Sequence, residues 1–301
     1  MAYETNDHPT RRALVVEGGG MRGIFSTGVL DAFSEAGYRP FDVCFGVSAG
    51  ATNLAAWLAD QSGRNYTVIS DHSCRPPFID FKRFLMGGHW LDLDWLWEVT
   101  IREIRLDLAR FEQQPIPLYV VVTRIADGEA AYLRATAANL EALLKASCAV
   151  PVVYRDFPVI DGERLTDGGV ADSIPVLKAH AMGAREITVV LSRPMGYRKT
   201  RFKAPWLLRR LLKRQPRLAQ AMIDRHQAYN RAIDFIEAPP VDCRIRIVAP
   251  PRGFAVGRVT TDRTKLDAGY AMGLEAGRTA LSEDRRNAEP NDQPPLPPLS
   301  N

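Results

Sequence analysis

Two strand-and-helix units open the chain. Residues 13–16 (Ala-Leu-Val-Val) are a short apolar run, partly β-branched and bounded by glycine, which predicts a buried strand. Residues 24–36 then carry Ile24, Phe25, Val29, Leu30 and Phe33 at helical spacing and stop at Gly37. The pattern repeats as a strand over 41–46 and a helix over 49–59. Further on, 118–123 is the strongest strand signal, and Asp127-Gly128 turns it into a partner over 130–133. A helix over 139–148 stops before Pro151, and 159–165 forms a second hairpin that delivers Asp167-Gly168-Gly169. A short helix over 175–182, strands over 186–191 and 244–248, and a closing helix over 266–281 complete the series. Such alternation predicts an α/β fold on a mainly parallel sheet with helices on both faces.

Two stretches break the alternation. Residues 61–110 lack a strand period and concentrate Phe78, Phe81, Phe84, Trp90, Trp95 and Trp97 after Pro76-Pro77. They are expected to form a helical insertion over the sheet, its aromatics mostly core with some lining a substrate channel. Residues 195–223 contain no acidic residue but nine cations, among them Arg209, Arg210, Lys213 and Arg214, interleaved with Trp206 and leucines. A basic amphipathic helix bearing tryptophan, about 198–217, has the composition of a membrane-surface segment, with Trp206 and these four cations as contacts. One domain, 11–288, is expected between a disordered lead (1–10) and a disordered proline-rich tail (289–301).

Composition narrows the class only slightly. The 301 residues are 46% hydrophobic and 25% charged, an ordinary globular balance, and a net charge of +4 with no binding motif does not imply nucleic acid. The four cysteines form no CxxC pair, which fits free thiols in a reducing compartment. Residues 1–12 lack the apolar core of a secretory signal, and no apolar run approaches the ~20 residues of a membrane span. A cytoplasmic protein is expected, with room for peripheral attachment at the inner membrane surface.

The chemistry gathers at the turns. The first strand runs into Gly18-Gly19-Gly20-Met21-Arg22-Gly23, and the second into Gly46-Val47-Ser48-Ala49-Gly50. A Gly-x-Ser-x-Gly strand-to-helix turn exposes its serine, and the flanking Gly46 and Gly50 keep the turn tight. The glycine loop also satisfies G-x-G-x-x-G, so a dinucleotide-binding oxidoreductase is the rival reading. That fold wants an acid at the end of the second strand, and here Ser48 follows instead. Backbone amides beside a serine can serve as an oxyanion hole. The five histidines are scattered (His8, His72, His89, His180, His226), leaving Asp167, with two glycines beyond it, as the natural general base for Ser48.

Taken in order, Gly18–Gly23, Gly46–Gly50 and Asp167-Gly168-Gly169, with Ser147-x-Ala149-x-Pro151 before the aspartate, resemble the patatin-like phospholipase family. The resemblance spans about residues 13–190. It implies a three-layer α/β/α fold and a Ser48–Asp167 dyad that hydrolyses acyl esters of lipids, phospholipase A or lysophospholipase fashion, with no metal and no cofactor. Asp167 would be the proton acceptor and the amides of Gly19, Gly20 and Met21 the central oxyanion donors, with Arg22 supporting the loop. Glu17 departs from the aspartate common before the glycines. A lipid-binding relative with an idle site is the further alternative.

Overall fold

The computed structural model describes residues 12–288, so the lead and tail expected to be disordered lie outside the described residues. The strands are β1 (Arg12–Val16), β2 (Val43–Val47), β3 (Leu118–Arg124), β4 (Ala130–Arg134), β5 (Val159–Ile160), β6 (Glu163–Asp167), β7 (Glu186–Val190) and β8 (Arg244–Val248). The helices are α1 (Gly23–Glu35), α2 (Ala49–Leu58), α3 (Arg64–Ser70), α4 (Phe81–Leu85), α5 (Leu93–Glu103), α6 (Leu108–Gln113), α7 (Leu140–Cys148), α8 (Val176–Ala181), α9 (Pro205–Leu211), α10 (Pro216–Glu237) and α11 (Arg263–Ala288). The described strands form one sheet in the order β5-β6-β3-β2-β1-β7-β8, with β4 also on β3. The pairings from β3 through β2, β1 and β7 to β8 are all parallel.

Side-chain alternation along each strand creates the two cores. Leu14 and Val16 of β1, Cys44 of β2 and Leu118 and Val120 of β3 face α1, α2, α7 and α11. Their neighbours Ala13, Val15, Val43 and Phe45 face the opposite way, against α8 and the Tyr229–Ile236 side of α10. Helices therefore cover both faces, giving the three-layer α/β/α arrangement. On the first face α11 lies close along α1, because Gly28 and Gly273 leave room for backbone contact. A Cβ on Gly273 would stand 2.1 Å from the Phe25 carbonyl oxygen, and one on Gly28 2.3 Å from that of Tyr270.

The basic segment differs from its expectation. Instead of one helix over 198–217, proline opens two separate helices, α9 at Pro205 and α10 at Pro216. Proline fits the first helical turn but not an interior, so a prolines-apart sequence splits there. The 22-residue α10 buries Leu218, Ile223, Tyr229, Ile233 and Ile236. Their helical spacing continues well past the end of the basic run, a signal masked by the surrounding charges.

The connection most important for function lies on β3. Val121 pairs with Val47 of β2 and with Tyr132 of β4; the next residue, Val122, pairs with Asp167 of β6 and with Ala131 of β4. A strand has only two edges, and β4 occupies one of them throughout. Parallel β2 and antiparallel β6 must therefore meet end to end along the other. The register delivers the residue after Val47, which is Ser48, against Asp167.

Candidate active site

Ser48 sits on the bend between β2 and α2 with φ 51° and ψ −124°. A non-glycine residue held at positive φ in this way stores strain, and a surrounding structure must hold it. The clamps are visible. A Cβ on Gly50 would approach the Val16 carbonyl oxygen to 2.4 Å, and one on Gly46 the Ala51 Cα to 2.5 Å, so only glycine fits at either flank. The Ser48 amide donates to Ser147 Oγ at 2.8 Å, and Ser147 Oγ in turn donates to the Val121 carbonyl at 2.6 Å. Fully buried Ser147 thus pins the bend to the β3 junction.

Asp167 is fixed as firmly. Its amide donates to the Ala149 carbonyl at 3.0 Å, its carbonyl accepts from Thr123 Oγ1 at 2.8 Å, and its Oδ1 accepts from the Gly169 amide at 2.7 Å. Gly168 packs on β3 so closely that a Cβ would lie 2.2 Å from the Val121 carbonyl oxygen. Burial raises the Asp167 carboxyl above its ordinary range, while the Gly169 amide and the charges of Arg225, Arg258 and Lys199 act in the opposite direction. Desolvation is the larger influence, so the proton affinity is that of a strengthened base.

The glycine loop lies directly against Ser48. A Cβ on Gly18 would stand 2.8 Å from the Val47 carbonyl oxygen and 3.1 Å from Ser48 Cβ. The amides of Gly18, Gly19 and Gly20 donate to no group among the described residues. Three members of the expected row are corrected. The Met21 amide is spent on the Arg258 carbonyl at 3.1 Å, the Arg22 amide on that of Gly19 at 3.3 Å, and the Gly23 amide closes the following turn. Gly20 adopts φ +57°, which turns the chain toward Arg258. Residue patterning missed the Ala49 amide, which donates to no group among the described residues at the start of α2, where the helix dipole favours negative charge. Arg22 supports the loop through its buried side chain, with Nε donating to the Ser192 carbonyl at 3.1 Å. Glu17 Oε2 accepts from the Ser192 amide at 2.6 Å, so the longer acid ties the loop to the end of β7.

Ser48, Asp167 and Gly18–Met21 line a single cavity of about 440 Å³. Its apolar arm is walled by Phe78, Leu93, Leu96 and Trp97, which pack on one another, with Trp90 and Leu144; its polar end holds Ser173 and Arg225, both donating to the Gly169 carbonyl, together with Arg258. The aromatic insertion therefore supplies both core and cavity wall. Cys148, also in the wall, lies against Ser48 and Asp167; burial and the Asp167 charge push its thiol up to about 12, against the pull of the Ser48 hydroxyl. A protonated thiol is a weak nucleophile, which favours Ser48 for that role. None of the described histidines lines this cavity. His72 and His89 face carboxylates of the insertion instead, Glu103 and Asp94. Trp206, Arg209, Arg210, Lys213 and Arg214 are exposed and away from the cavity wall.

The family model described as patatin-like phospholipase matches residues 14–180. The chain belongs to the patatin-like phospholipase family. A second model, a domain of unknown function (DUF6363), matches residues 215–286, the stretch that holds α10, β8 and α11. Among curated relatives, the chain is 36% identical to the uncharacterized protein YjjU of Escherichia coli K12 over 91% of this chain and 78% of that protein. It is 29% identical to an uncharacterized NTE family protein of Mycobacterium tuberculosis H37Rv over 60% of this chain and 49% of that protein. The crystal structure of VipD from Legionella pneumophila aligns with TM-score 0.40 and 13% identity, covering 90% of this chain and 67% of that one.

Replacing Ser147 by alanine leaves a buried amide and a buried carbonyl unpaired at the β2–β6 junction. A loss of about 1–3 kcal/mol is expected from such a pair of orphaned groups, read as a lower urea midpoint at unchanged slope. Turnover should fall as well, since the Ser48 bend loses its clamp.

Proposed function

We propose that this protein is a serine hydrolase of lipid acyl esters, working through Ser48 and Asp167. The abutment of β2 and β6 on one edge of β3 carries this reading. Asp167 takes the Ser48 hydroxyl proton as Oγ attacks the ester carbonyl. The amides of Gly18, Gly19, Gly20 and Ala49 hold the resulting oxyanion. Asp167 returns the proton to the departing alcohol, leaving an acyl-enzyme. Water, deprotonated by the same carboxylate, then releases the fatty acid. The apolar arm suits an acyl chain, and no further cofactor is needed to complete the cycle. A dinucleotide site is disfavoured because a serine at positive φ stands where the ribose-binding acid would be.

No described helix is long and apolar enough to cross a membrane. Peripheral contact through α9 is favoured by the exposure of Trp206 (66%) and Leu211 (52%) beside Arg209, Arg210, Lys213 and Arg214. Its Leu208 and Leu212 are buried, so one side of the segment packs inward. A second contact, at α4 and the residue after it, is favoured by exposed Phe81, Leu85 and Met86, close in sequence to the cavity-lining Phe78 and Ile79.

Asp167→Asn should cut ester turnover by about 10²–10⁴-fold, the usual span for a lost general base, and Ser48→Ala should abolish it. Because the folded Asp167 value lies above the unfolded one, the stability its protonated form contributes is lost as pH rises from the ordinary carboxylate range through that raised value, and is gone at neutral pH. Asp167→Asn should therefore hold or raise Tm at neutral pH while activity collapses. Near-normal turnover in Asp167→Asn would remove the dyad; liposome binding without turnover by the wild type would favour an idle relative.

The pH profile provides a separate check. The base form is lost as pH falls through the raised value, so the acid limb of kcat/KM should lie above the ~4 of an ordinary carboxylate. A limb at or below that range would contradict a desolvated base. For the membrane contact, co-sedimentation with vesicles containing anionic lipid should weaken with added salt and with Arg209→Glu/Arg210→Glu. Binding indifferent to both would exclude α9.

A further inference from the structure

The polar end of the cavity contains more positive charge than the dyad requires. Arg225, from α10, and Arg258, from the loop before α11, both line it. Lys199 stands behind them, its Nζ donating to the cavity-lining Ser173 Oγ at 2.9 Å and lying 4.0 Å from the Tyr229 ring centroid. Arg225 uses Nη2 on the Gly169 carbonyl at 2.8 Å, but its buried Nε has no partner. All three cations act on Asp167, the one carboxylate among the cavity residues at this end. Outside the cavity wall, Glu17 also acts on Lys199 and Arg225 while its Oε2 accepts from the Ser192 amide, and Asp172 feels Lys199 while its oxygens are occupied by Tyr132 Oη at 2.7 Å and the Ile174 amide at 3.1 Å. Burying a guanidinium with an orphaned donor is costly unless something arrives to accept from it.

We propose that Arg225 and Arg258, backed by Lys199, form an anion subsite that takes a phosphate group of the substrate while its ester lies at Ser48 and its acyl chain fills the apolar arm. This rests on the hydrolase reading for the placement of the ester. The chemistry of the subsite points to phosphate. Two guanidinium forks offer several directed donors to a group that presents three oxygens, a match that a neutral glyceride cannot use. The cavity's two ends are then assigned as the two ends of one anionic amphiphile, with the nucleophile between them. The basic residues of α9 play no part in this site, since they lie outside the cavity wall.

The test compares lysophosphatidic acid with a monoacylglycerol of the same chain, which differ only in the phosphate. Wild-type kcat/KM should favour the phosphate-bearing ester. Arg225→Gln, and separately Arg258→Gln on its exposed loop, should each lower that preference by about 10- to 100-fold, the range expected for a lost charge-assisted hydrogen bond. Calorimetry with Ser48→Ala supplies the arm that needs no turnover. Tighter binding of the phosphate-bearing lipid than of the neutral one, lost in Ser48→Ala/Arg225→Gln, supports a headgroup subsite. Saturable binding of inorganic phosphate alone, with no preference between the two lipids, would overturn the headgroup assignment in favour of a free-phosphate site. Equal kcat/KM on both esters together with no binding of either phosphate form would overturn the subsite while leaving the Ser48 hydrolase intact. Phosphate-dependent lipid binding without ester cleavage would do the reverse.

Discussion

The site depends on one edge of β3 being shared by two strands. β2 arrives parallel and β6 antiparallel, and they stop against each other between Val121 and Val122. An ordinary parallel sheet would carry a single neighbour along that edge and would keep residues 48 and 167 apart. Here the abutment joins groups more than a hundred residues distant in sequence without relying on a flexible loop. The cost appears in the backbone. Ser48 is held at positive φ, and both Gly50 and Gly168 press against neighbouring carbonyls. Ser147 offsets part of this cost by satisfying an amide of one strand end and a carbonyl of β3 at once.

Electrostatics follow from that placement. A carboxylate buried at a strand junction loses its water, and its proton affinity rises. The Gly169 amide and the nearby cations moderate the rise without reversing it. The same burial keeps Cys148 protonated beside the serine. Amides at Gly18–Gly20 and at the start of α2 are left unspent among the described residues next to Ser48, an arrangement that costs stability in a resting protein and suits a site where negative charge develops.

Most of the fold was legible because the strands are short, apolar and punctuated by glycine. The alternation marks every major strand, and motif order makes Ser48 and Asp167 stand out from the residues alone. Register was not legible. Nothing in the local pattern near Val121 and Val122 announces that two strands meet there, since pairing is decided across the chain. The Met21 amide escapes local pattern for a similar reason: its acceptor, Arg258, lies far downstream. α10 was hidden by its charges, although its buried residues keep helical spacing. The Ala49 amide could have been found from the rule that a helix's first amides have no internal partner. Arg225 and Arg258 carried no motif and became visible only as cavity walls.

The central claim, that Ser48 is a nucleophile activated where β2 meets β6, is tested most directly by a fluorophosphonate ester followed by peptide mass spectrometry. The account predicts one adduct per chain, located on Ser48, forming far more slowly in Asp167→Asn. An unlabelled wild-type protein, or an adduct carried by another residue, would contradict it.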